Sequence, residues 1–75
     1  MTQHAALLNK RNGYVAHVRD SREEARNKAE QLVFSNIDVI DRKVVEENWQ
    51  FFTMDPVATF NRLSPYEISI IPVTP

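Results

Sequence analysis

Hydrophobic positions change their period along this chain. Between Tyr14 and Arg19 they alternate as in a β-strand, with Tyr14, Ala16 and Val18 on one side and Val15, His17 and Arg19 on the other. From Ala25 the spacing becomes helical: Ala25, Ala29, Leu32 and Val33 fall at i, i+4, i+7 and i+8 on one stripe, with Glu24 and Lys28 paired outside it. Ser21 stands three residues before Glu24, the spacing of a reciprocal capping box, so the helix begins there. Its alanines suit close approach to a sheet. Asn36 tolerates left-handed backbone and closes the helix. Alternation returns over residues 37–45, where Ile37 and Val39 flank Asp38, and the charges at Asp41, Arg42 and Lys43 suit an edge strand. Glu46 to Asn48 then connect to the aromatic run Trp49 to Met54, a third strand completing a hairpin. A helix from Asp41 to Phe52 competes with that hairpin, because Val45, Trp49 and Phe52 also fit i, i+4, i+7.

Asp55 before Pro56 is a cap followed by a first-turn proline. It starts a short helix that turns Val57 and Phe60 to the core and ends at Ser64-Pro65. Residues 66–73, YEISIIPV, read as a last strand, confined to an edge by Pro72, which cannot donate to a ladder. Residues 1–12 read as a flexible end or a short helix through Ala5, Ala6, Leu7 and Leu8, stopped by Gly13. The order is then β-α-β-β-α-β, an α+β domain over residues 1–75: a ferredoxin-like four-stranded antiparallel sheet with two helices on one face. Strand order 4-1-3-2 places the proline and the charge cluster on the two edges.

Length limits the domain count to one, since 75 residues cannot enclose two cores. With 43% hydrophobic and 25% charged residues the chain has the composition of a folded soluble domain. The net charge of -1 opposes both a broad phosphate-binding face and an acidic nucleic-acid mimic. Without cysteine there is no disulfide, thiolate metal site or thiol nucleophile, and the expected compartment is the cytoplasm. No apolar run has the length of an export signal or a membrane span.

The chemistry-bearing residues are sparse. His4 and His17 lie on separate elements with no carboxylate partner in sequence, and His17 is expected on the sheet face turned away from the helices. Ser35, Ser64 and Ser69 lack the glycine-bearing elbow of a serine nucleophile, and a single glycine excludes phosphate-cradling and dinucleotide loops. No metal-ligand spacing occurs. These patterns predict neither enzymatic activity nor a cofactor.

Apolar residues nevertheless fall on both faces of the expected sheet: Phe51 beside Phe52, Ile70 beside Ile71, and Val15 and Ile40 out of phase with their neighbours. Such surplus marks a partner or self-association surface. Its expected contacts are His17, Arg19, Trp49, Phe51 and Phe52, with Arg42 and Lys43 as a polar rim. Residues 13–39, GYVAHVRDSREEARNKAEQLVFSNIDV, form a strand, a Ser-x-Glu-Glu-Ala helix start and a return strand. That arrangement resembles the β-α-β segment of small phage-encoded accessory proteins, among them inhibitors of host RNA polymerase and anti-CRISPR proteins. The resemblance implies a non-enzymatic protein that binds a larger host protein or nucleoprotein complex and inhibits or modulates it. Two alternatives stand beside it: a regulator of single-stranded nucleic acid, stacking bases on sheet aromatics, and a homodimer formed through the same apolar surface. Residues 49–54 lack the glycine and basic residues of the RNA-recognition motif, so nucleic acid is the less favoured partner.

Overall fold

The computed structural model describes residues 2–73 and is α+β, with the elements β1 (His4–Lys10), β2 (Gly13–Arg19), α1 (Arg22–Ser35), a 3-10 turn (Ile37–Val39), α2 (Arg42–Glu47), α3 (Trp49–Met54), α4 (Pro56–Leu63) and β3 (Glu67–Pro72). The sheet is three-stranded and antiparallel, ordered β2-β1-β3. The expected four-stranded ferredoxin-like sheet with two helices is therefore incorrect. Two segments account for the difference.

The first is the N-terminal segment, read as a helix or a loose end, which is the central strand. A two-residue turn, Arg11-Asn12, joins it to β2 in a register that sets Lys10 opposite Gly13. Gly13, at φ +146°, supplies the backbone that L side chains rarely adopt, so the glycine makes a hairpin instead of stopping a helix. The run from Ala5 to Leu8 hides its strand character because apolar residues occupy both of its faces: Ala6 and Leu8 are buried under the helices, while on the open face Ala5 is buried and Leu7 half-buried between the flanking strands.

The second is residues 37–54, read as two strands, which are helical. Asp41 accepts the Lys43 N–H at 2.9 Å and opens α2. The Asn48 amide donates to the Val44 carbonyl at 2.8 Å, while its own carbonyl receives the N–H groups of Phe51 and Phe52. One residue thus closes α2 and starts α3. Asp55 does the same for α3 and α4, receiving the Ala58 N–H on its carboxylate and returning its own N–H to Phe51. These caps outweigh the β-propensity of Val44, Val45 and the aromatic residues, which is a weak and context-dependent preference. Helical geometry also separates the neighbouring phenylalanines by about 100°, so Phe52 points inward and Phe51 does not.

Other expectations hold. Ala25, Ala29, Leu32 and Val33 are buried and pack α1 on the sheet; Phe60 is buried and Val57 half-buried on α4; β3 is an edge strand with Pro72 near its end. Asn36 closes α1 at φ -120°, in right-handed space, with its side-chain amide donating to the Leu32 carbonyl. Of the expected reciprocal capping box one half is formed, the Glu24 N–H donating to Ser21 Oγ at 3.1 Å, and among the described residues Glu24 does not return a bond to the Ser21 N–H. Ser21→Ala is expected to cost about 1 kcal/mol of stability, read by urea denaturation, as for other caps of this kind.

The core lies between one sheet face and the helices: Ala6, Leu8 and Ile68 meet Ala29, Leu32, Val33, Ile40, Phe52 and Phe60. Strand alternation assigns Ala5, Leu7, Tyr14, Ala16, Val18 and Ile71 to the opposite face. There Tyr14, Val18 and Ile71 stand exposed. The faces of β2 are thus the reverse of those expected: Val15, His17 and Arg19 lie on the helix side, because the hairpin register pairs them with Leu8, Ala6 and His4.

Candidate interaction surface

Three of the exposed rings, Phe34, Trp49 and Phe51, lie on the helical layer, and Tyr14 lies on the sheet. Trp49 opens α3 with half its surface exposed (50%), and Phe51, two residues on and about 200° round the helix, keeps 43%. The Trp49 ring sits edge-on to Phe34 from the end of α1, with centroids 6.1 Å apart, and tilted against Phe52 at 6.4 Å. Phe52 is fully buried beneath it. Rings in this geometry hold one another in place through quadrupole and dispersion attraction, so Trp49 is fixed in orientation while exposed. Phe34 (44% exposed) and Met54 (79%) extend the apolar surface, and the Arg62 guanidinium lies 6.0 Å from the Phe51 centroid, within cation-π range.

The Thr59 hydroxyl of α4 ties this surface to the core. It shares its one proton between the Asp55 carbonyl at 2.7 Å and the Phe51 carbonyl at 3.0 Å, joining α3 to α4. A buried hydroxyl satisfied in this way gives rigidity without leaving a polar group unpaired.

The residues expected at a contact surface are only partly brought together. Trp49 and Phe51 are exposed on α3. Phe52, also expected there, belongs to the core and cannot meet a partner. His17 and Arg19 sit on edge strand β2, where Arg19 donates to the Val18 carbonyl at 2.8 Å. His17 faces the helix layer instead of the open side; its partial burial, then the charges of Lys28 and Arg19, hold the imidazole below its ordinary pKa. Arg42 and Lys43 lie on α2, not on an edge strand, and Arg42 pairs with Glu46 at 3.1 Å across one exposed helical turn, an interaction of little energetic weight.

Sequence reading missed Phe34, Met54 and Arg62 at this surface. Phe34 had a visible signal: it is a large ring immediately beside the buried stripe of α1, about 100° away from Val33. Met54 had a local one too, since it stands at i+3 from Phe51 on the same helix, whereas Arg62 had none, because its proximity to Phe51 depends on how α4 folds back on α3.

Among the described residues no group of three or more His, Cys, Asp or Glu side chains could hold a metal ion, and no helix is long and apolar enough to cross a membrane. Two depressions among the described residues are open and mixed in character. One of about 570 Å³ runs along the 3-10 turn and the start of α2 between Ile37 and Val45, and another of about 490 Å³ lies between Arg22 and Arg26 of α1 and Asp55 and Val57 beside α4. Comparison with known protein families, with curated proteins and with solved structures finds no match to this chain.

Proposed function

We propose that this chain is a non-enzymatic protein-binding module that attaches to a larger protein complex through the Trp49 surface. The observation that carries the reading is a tryptophan held by rings on two sides, Phe34 and Phe52, with half its own surface unused. Tryptophan is among the residue types that dominate binding energy at protein interfaces, and a prefixed ring loses little entropy on docking. The matching partner surface is an apolar pocket for the indole.

The resemblance to phage accessory proteins supplies the kind of partner: a host complex of transcription or of defence, inhibited or modulated by occupation of its surface. Its return strand, residues 37–39, is a 3-10 turn in this fold, so the similarity rests on β2 and α1. Base stacking on the sheet has less support, since Trp49, Phe51 and Phe52 lie on a helix and Tyr14 is the ring that remains on the sheet.

Trp49→Ala tests the proposal. The substitution is expected to leave the far-UV circular dichroism spectrum in place while weakening capture of the partner complex, identified by pull-down from host lysate, at least tenfold, the effect of a hot spot worth more than about 1.4 kcal/mol. Undiminished capture by the folded variant would reject the Trp49 surface.

A further inference from the structure

The two edges of the sheet are treated differently. Val73 donates its N–H to the Gln3 carbonyl at 2.9 Å, in register with His4 opposite Pro72, so the odd-numbered residues of β1 bond towards β3 and the even-numbered ones towards β2. On β3 the groups facing away from the sheet then belong to Ile68, Ile70 and Pro72. Two of these positions are closed. The Asn61 side chain from α4 accepts the Ile68 N–H at 2.6 Å and donates to the Ile68 carbonyl at 2.8 Å, acting as a short mimic of a neighbouring strand, and Pro72 has no N–H. A neighbouring strand cannot dock there.

On β2 the outward groups belong to Tyr14, Ala16 and Val18 by the same alternation. Their N–H groups have no partner among the described residues, and of their carbonyls only that of Val18 is engaged, by the exposed guanidinium of its neighbour Arg19. The strand has no proline and no lysine, and its residues are mostly exposed. Proteins ordinarily blunt such an edge, as this one blunts β3.

The geometry points to β2 as a self-pairing edge whose occupant is β2 of a second copy of this chain, antiparallel about a two-fold axis at Ala16. That register is self-complementary: Ala16 meets Ala16 of the second copy and Tyr14 meets its Val18, so all three outward residues find partners at once. Tyr14 beside Val18 is an aromatic with β-branched pair on the open face, among the favourable cross-strand combinations. The two sheets become one of six strands. Seven residues at about 3.4 Å each make an edge of roughly 24 Å. Its buried area falls well short of the ~800 Å² a side of standard complexes, so association is weak and depends on concentration.

Sedimentation equilibrium and amide hydrogen exchange test this between about 10 µM and about 1 mM, the range proper to a small interface. The expected result is a mass rising from one chain towards two, with the Tyr14, Ala16 and Val18 amides slowing at least tenfold at the top of the range. Ala16→Pro removes an outward N–H that the single chain does not use, so this variant is expected to keep its circular dichroism spectrum and remain a single chain throughout. Trp49→Ala is expected to pair like the unaltered chain, which separates this edge from the Trp49 surface. A single chain at every concentration, a pair undiminished by Ala16→Pro, or three amides indifferent to concentration would each overturn the proposal. Should Ala16→Pro fail to fold, the amides of the unaltered chain decide alone.

Discussion

Phe52→Ala is expected to remove a large share of the stability of this chain. Phe52 is one of the largest fully buried side chains, enclosed with Phe60, Val33 and Ile68 and roofed by Trp49. Removing a buried phenylalanine costs about 3–5 kcal/mol, part from lost transfer free energy and part from the cavity left behind. A domain of this length has a total stability of roughly 4–11 kcal/mol at about 0.05–0.15 kcal/mol per residue, so the loss consumes a large share of it. Thermal denaturation should show a midpoint lower by at least 10 °C, given about 4–8 °C per kcal/mol in domains of this size. The neighbouring Phe51→Ala serves as the contrast, because a ring already 43% exposed leaves no enclosed cavity. Equal midpoints for the two variants would refute the assignment of Phe52 to the core.

The second large effect belongs to a polar side chain. Asn61→Ala removes both bonds to Ile68, a residue whose side chain is buried and whose backbone lies at the β3 edge. Leaving those groups without their partner is expected to cost about 1–3 kcal/mol, with a correspondingly lower thermal midpoint, and to bring the Ile68 amide into rapid hydrogen exchange. Asn61→Asp separates the two bonds. A carboxylate still accepts the Ile68 N–H but cannot donate to its carbonyl, so this variant should protect the amide while remaining less stable than the unaltered chain. An Ile68 amide that stays protected in Asn61→Ala would show that the edge is closed by something other than Asn61.

Much of the helical half was legible from local chemistry. The α1 stripe, its Ser21 cap and the Asp55-Pro56 start of α4 are set by residues within a turn of one another, and such signals survive whatever the rest of the chain does. The sheet was less legible. Asn12-Gly13 between two apolar segments is a hairpin signal, yet the run from Ala5 to Leu8 lacks alternation because apolar residues occupy both faces of β1, Ala6 and Leu8 towards the helices and Ala5 and Leu7 on the open side, and it reads equally well as a helix. In residues 37–54 the strand and helix periods were both present. Only the caps at Asp41, Asn48 and Asp55, together with β1 occupying the centre of the sheet, decide in favour of helix. At the interaction surface Trp49 and Phe51 were recognisable by type, whereas separating them from Phe52 required the helical turn that sends adjacent side chains apart.

Local order in this protein therefore lies within the chain itself: where helices begin, which stripe they bury, where a proline makes an edge. Which segment occupies the middle of the sheet, which of two adjacent phenylalanines is enclosed, and which edge is sealed by Asn61 belong to the assembled fold. The reason is physical. Caps and periodic stripes are satisfied by residues a few positions apart, while strand neighbours such as Leu8 and Ile68 are separated by most of the chain, and their pairing depends on every element that competes for the same face.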